Sequence, residues 1–163
     1  MLGRMKSLYT PRDFDSLCGR LAALSPDSPR RWGRMTAHGA VCHLADAFKA
    51  IMGEGIRPAI PNSDDVSLLI KARRIAGRLY ALTSPLPWPK GVPTSRVVDQ
   101  ERDGTPPGDW DADMADLQAA MGRFRDRDGR DLPPHVLFGS LNRGEWGRWA
   151  YRHVDHHLRQ FSA

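Results

Sequence analysis

The stretch Asn142-Arg-Gly-Glu-Trp-Gly-Arg-Trp-Ala-Tyr-Arg-His-Val-Asp-His-His-Leu-Arg-Gln-Phe161 decides the fold. Trp146, Ala150, Val154, Leu158 and Phe161 recur every three or four residues, the period of one helical face. Asn142 opens the helix and Glu145 stands three residues on, the pattern of a capping box. The same stretch carries half of the six histidines: His153, His156 and His157. Residues four apart on a helix differ by roughly 40° in azimuth and lie one turn apart. His153 and His157 can therefore aim two imidazoles at one ion. His156, on the flank, can take the place of one of them but not join both.

Position adds to this reading. His153 and His157 lie beside the apolar stripe and so face a bundle rather than open water. Buried imidazoles need partners, and two protonated ones side by side repel. A metal site needs a third ligand, and the sequence offers one in a second helix, capped by Thr36 and running to Met52 before Gly53. There His43 is surrounded by Gly39, Ala40, Asp46, Ala47 and Ala50. Such a strip either leaves space around an imidazole and a carboxylate, or lets two helices pack closely over a hydrogen-bonded core histidine. His38 sits roughly 140° around the helix from His43, out of reach of the same ion. Cys42 reads as a small core residue. His135, in Leu-Pro-Pro-His135-Val-Leu-Phe-Gly, reads as a loop residue near the mouth of a site.

Three further segments carry helical periodicity. Phe14, Leu17, Cys18, Leu21 and Leu24 mark a helix over 11–24, with Pro11 in its first turn and Pro26 beyond its end. A helix over 66–82, capped by Asp64 or Ser63, places Leu69, Ile70, Ala76, Leu79 and Tyr80 on one side. Met114, Leu117, Met121 and Phe124 define another over 109–125. No segment alternates with period two. The expectation is a single all-α domain over 1–163, a four-helix bundle with one extra helix. Residues 83–108 hold six prolines and no helical period, and form either a cover or a disordered stretch. Leu86, Trp88 and Val97–Val98 point to parts of it packing down.

The chain has 163 residues and a net charge of +5, which invites a nucleic-acid reading. The basic residues are dispersed, however, and the densest run, Arg-Phe-Arg-Asp-Arg-Asp-Gly-Arg-Asp over 123–131, nearly neutralises itself. Two cysteines make no disulfide framework, no apolar run approaches a membrane span, and no apolar core follows the first basic residues. A cytoplasmic protein with neither membrane nor nucleic-acid partner is expected. Trp32, Trp88 and Trp110 either mark a homodimer surface or pack under loops.

The segment His43-Leu-Ala-Asp46, followed downstream by His153-x-x-His156-His157-x-x-Gln160, resembles the DinB/YfiT-like superfamily. The run Phe138 to Phe161 is similar, more closely, to a bacterial branch known only as a domain of unknown function. The resemblance implies a DinB-like four-helix bundle holding a divalent metal through one histidine on the second bundle helix and two on the fourth. In this chain these are His43, His153 and His157. It makes the helix over 66–82 an insertion between bundle helices two and three. Related members include metal-dependent thiol S-transferases, isomerases and hydrolases, but this branch brings no reaction with it.

Three imidazoles leave coordination positions open, the pattern of catalytic sites. Zn²⁺ is the default ion, with Ni²⁺, Fe²⁺ or Mn²⁺ as alternatives. Asp46 and Gln160, each three residues from a ligand, are candidates to orient a ligand or touch substrate, and Trp146 to pack beneath the site. The expected activity is transfer of a low-molecular-weight thiol to a small electrophile, with scattered arginines holding the carboxylates of the thiol. The alternatives are a metal-dependent hydrolase and a non-catalytic bundle whose metal is structural or sensory.

Overall fold

The computed structural model describes residues 4–55 and 68–163. Five helices run α1 (Pro11–Ala22), α2 (Ala37–Met52), α3 (Leu68–Thr83), α4 (Trp110–Arg127) and α5 (Arg143–Gln160), with one 3-10 turn, Arg96–Val98, between α3 and α4. No strand occurs among the described residues; His135 and Gly139 form a lone bridge. The all-α expectation holds, and a helical bundle fits the arrangement. The expected caps at Ser63 or Asp64, and the start at Val66, lie outside the described residues.

Local chemistry explains the helix ends. Thr36 Oγ1 accepts from the Gly39 amide at 3.0 Å, and Gly53 closes α2 in the left-handed region at φ 74°. The capping box of α5 is complete: Asn142 Oδ1 accepts from the Glu145 amide at 3.0 Å, and Glu145 Oε2 accepts from the Asn142 amide at 2.9 Å. The Glu145 carboxylate also receives Arg78 in a bidentate pair, fastening α3 to α5.

Helix α2 packs mainly against α4 and also meets α5, while α1 and α3 rest on α5. Thirteen of the sixteen residues of α2 are buried, so it is the central helix rather than an amphipathic one with a wet face. The core gathers Leu17 and Leu21, Leu44 and Phe48, Leu117, Met121 and Phe124, and Trp146 and Leu158. The N-terminal segment docks on α5 where Leu8 donates its amide to the Gly147 carbonyl at 2.9 Å. A Cβ on Gly147 would stand 2.6 Å from the Tyr9 ring and closer still to Ser7 Oγ, so only glycine permits that approach.

Of the side expected for α3, the side chains of Leu69 and Ile70 lie outside the described residues, and Ala76, Leu79 and Tyr80 are exposed. Ala81 and Leu82 are buried, whereas Leu79 is 56% exposed and Tyr80 borders open space. The Arg78–Glu145 pair brings Arg78 onto α5. Residues 83–108 form a cover that packs on the bundle. Trp88 Nε1 donates to the Ala81 carbonyl at 2.9 Å, and the Arg152 guanidinium holds the Ser84 and Leu86 carbonyls. Leu86 itself stays 59% exposed, against expectation, because its backbone rather than its side chain makes the contact.

Candidate metal centre

Helix α2 brings His43, and α5 brings His153 and His157, to one point between them. Each offers a nitrogen within 4.8 Å of the other two. His43 Nε2 lies 3.2 Å from His153 Nε2, and the ring centroids of His43 and His157 are 4.7 Å apart. His43 is buried, His153 and His157 are half-buried, and all three line one cavity. Burial holds all three below the ordinary histidine range, and mutual repulsion adds to this at His153 and His157. All three rings are therefore neutral at neutral pH, the state in which imidazole binds metal.

The second nitrogens have different fates. His43 Nδ1 donates to the Val98 carbonyl at 2.7 Å, and His157 Nδ1 donates to Gln160 Oε1 at 3.3 Å. Gln160 is itself anchored, giving its amide to the Trp32 carbonyl at 2.9 Å. These partners fix the tautomers of His43 and His157 so that Nε2 carries the lone pair, the arrangement that metal-binding histidines use. His153 Nδ1 is buried without a partner, so neither tautomer of His153 satisfies both of its nitrogens. The chemistry of the three residues fits a divalent ion, and the group could hold one. Among the described residues, the cluster has no fourth histidine, cysteine or carboxylate.

The group opens into a cavity of about 850 Å³. Trp88, Phe138, Trp146 and Trp149 form aromatic walls, and Ala47 and Ala50 of α2 keep one side thin. The small-residue strip near His43 thus leaves space along one edge of α2. Among the described residues no Arg or Lys lines this cavity, and Asp131 is the one carboxylate. An adjoining notch of about 380 Å³ shares Trp88 and His156 with it and is bordered by Arg31, Lys90 and Arg159.

The remaining candidates fall in distinct places. Asp46 is bonded to the cover and not to a histidine nitrogen: its carboxylate accepts from the Thr105 amide at 2.7 Å, the Thr105 hydroxyl at 2.8 Å and Gln100 Nε2 at 3.1 Å. It ties down the proline-rich cover rather than a ligand. His156 stands outside the three-histidine group, between the rings of Trp32 and Trp88. Trp146 is fully buried and meets Trp149 and His135. His135 is a buried loop residue on the cavity wall, stacked on Phe138 at 4.7 Å. His38 is paired with Asp113, well apart from His43.

Two contributors escaped the sequence reading. Trp149, whose ring lies 4.9 Å from that of His153, could have been found from its spacing of four residues to that histidine. The Val98 carbonyl could not, because a backbone acceptor leaves no mark in side-chain pattern.

Residues 90–163 match the family model described as a protein of unknown function (DUF1569). The matched region holds the cover from Lys90 onward, α4 and α5, and thus His153 and His157 but not His43. No curated protein and no solved structure matches the chain.

Proposed function

We propose that this protein is a metal-dependent enzyme of the DinB-like kind, using a three-histidine divalent centre to activate a thiol for attack on a small apolar electrophile. The observation that carries the reading is the meeting of three neutral imidazoles, two with their outer nitrogens already engaged, at the floor of an aromatic cavity. A divalent ion there lowers the pKa of a thiol or water bound beside it and so supplies a nucleophile at neutral pH. The chain's own residues do the rest. Val98 and Gln160 aim two ligands, and the aromatic walls hold an uncharged electrophile out of water. Arg31, Lys90 and Arg159 in the adjoining notch offer counter-charge to the carboxylates of a low-molecular-weight thiol. The apolar cavity itself supplies no such cation among the described residues. Zn²⁺ is the first choice of ion; Ni²⁺, Fe²⁺ and Mn²⁺ suit the same donors.

Elemental analysis of wild type against His153→Ala is the first test: the variant loses about one equivalent of metal, and equal metal content in both overturns the centre. Metal-loaded protein is then screened against uncharged electrophiles with glutathione, mycothiol or bacillithiol. Turnover requiring both metal and thiol is expected. Hydrolysis persisting without any thiol assigns water as the nucleophile instead. No turnover with either overturns the enzyme reading.

A further inference from the structure

A second group of donors lies on the face of α2 that meets α4. His38 and Cys42, one turn apart, face Asp113 in the first turn of α4, and the three offer ligand atoms within 4.8 Å of one another. Asp113 Oδ2 accepts from His38 Nε2 at 2.7 Å, from Cys42 Sγ at 3.5 Å and from the Gly108 amide at 2.9 Å. Three donors thus crowd a single carboxylate oxygen, which has two lone pairs to give. The edge of Trp110 meets the His38 ring at 5.2 Å and limits its rotation. His38 and Asp113 keep 15% and 21% of their side-chain surface, while Cys42 is buried, so solvent reaches the cluster from one side.

We propose that His38, Cys42 and Asp113 form a second divalent-metal site, separate from the three-histidine centre and suited to Zn²⁺. One nitrogen, one thiolate and one carboxylate oxygen are standard zinc donors, and ligand atoms on a tetrahedral ion stand about 3.3–3.7 Å apart. Cys42 and Asp113 already have that spacing; His38 and Asp113 reach it by separating slightly, which the partial exposure of both permits. Binding releases the thiol proton to solvent and moves the imidazole proton from Nε2 to Nδ1, so that two of the three protons directed at Asp113 Oδ2 give way to the ion while the Gly108 amide stays in place. Water completes the coordination from the open side. Because Gly108 ends the proline-rich cover and Asp113 lies in the first turn of α4, an ion here pins the last residues of the cover to α2.

The test uses Co²⁺, whose bond to a thiolate gives a charge-transfer band that a histidine-only site lacks. In His153→Ala, with the first centre disabled, Co²⁺ titration is expected to saturate at about one equivalent with a thiolate band. That band is lost in Cys42→Ser and in the less buried His38→Ala, each on the His153→Ala background and with helical circular dichroism unchanged. It persists in Cys18→Ser. Absence of a thiolate band in both wild type and His153→Ala overturns the proposal, as does a band that survives Cys42→Ser. Failure of the three-histidine centre reads separately, as equal metal content in wild type and His153→Ala.

Discussion

His43 Nε2 and His153 Nε2 face each other at 3.2 Å across the seam between α2 and α5, from positions 110 residues apart in the chain. Two nitrogens bound to one tetrahedral ion at 2.0–2.1 Å stand about 3.4 Å apart. The bundle therefore sets this pair close to ligand spacing before any ion enters. Without one, the two atoms share a single proton at most, and His153 still has an unpaired nitrogen in a buried place. The relationship depends on helix packing, since neither ring is on a loop that could adjust.

Gln160 is the residue through which ligand orientation can be tested without touching a ligand. Its Oε1 accepts from His157 Nδ1 and its amide holds the Trp32 carbonyl. Gln160→Leu keeps a similar volume but frees the His157 ring. Metal affinity is expected to fall by about 10- to 100-fold, read by competition with a chromogenic chelator. Unchanged affinity would show that the ring is held by packing alone.

Asp46 governs the cover. Three donors from residues 100 and 105 converge on its buried carboxylate. Asp46→Ala strands the Thr105 amide and is expected to cost about 3 kcal/mol, measured by urea denaturation of the metal-free protein. Metal affinity should fall as well, because the segment that Asp46 holds also supplies the Val98 carbonyl to His43. A destabilised variant with full metal affinity would uncouple the cover from the centre.

These two residues mark how far the sequence could be read. Helix α5, its capping box and the pairing of His153 with His157 follow from spacing within twenty residues, because local hydrogen bonds and a 3.6-residue period fix them. His43 was legible as a candidate only, since its meeting with α5 depends on tertiary packing. Asp46 and Gln160 had equal standing, each three residues from a histidine, yet one orients a ligand and the other anchors a loop. What separates them is the path of the cover, whose prolines hide any periodicity. The exposure of Leu79 and Tyr80 on α3 was hidden for a related reason: the Arg78–Glu145 pair spans 67 residues, and a long-range ion pair leaves no mark in an apolar pattern.

His135 carries a pH dependence of its own. Burial pushes it down to about 4, and its Nδ1 accepts the Leu137 amide, so the folded protein keeps it neutral. In the unfolded chain it titrates near 6.5. Between those values the unfolded state binds a proton that the folded state does not, so stability is full above pH ~6.5 and declines as pH falls toward ~4. The loss attributable to His135 is on the order of 3 kcal/mol at the acid end. In His135→Phe, which retains the stack on Phe138, urea midpoints should fall less steeply over that range. Identical slopes in wild type and variant would remove His135 as a contributor.

The cavity can be blocked independently of the ion. Ala47 follows His43 by one turn and forms part of the thin wall beside it. Ala47→Leu adds apolar volume where an electrophile would lie and alters no nitrogen of the centre. Trp88, Trp146 and Trp149 line the same space, so binding of an uncharged aromatic probe is read directly as quenching of tryptophan fluorescence. Affinity for the probe should weaken about tenfold, the equivalent of about 1.4 kcal/mol of lost apolar burial. Metal content and helical circular dichroism should match wild type. Ala50→Leu, further along the same wall, provides a second blocking variant should the first perturb packing. If both variants retain metal and bind the probe as wild type does, the electrophile does not occupy this cavity. The three histidines would then serve a site reached from another side.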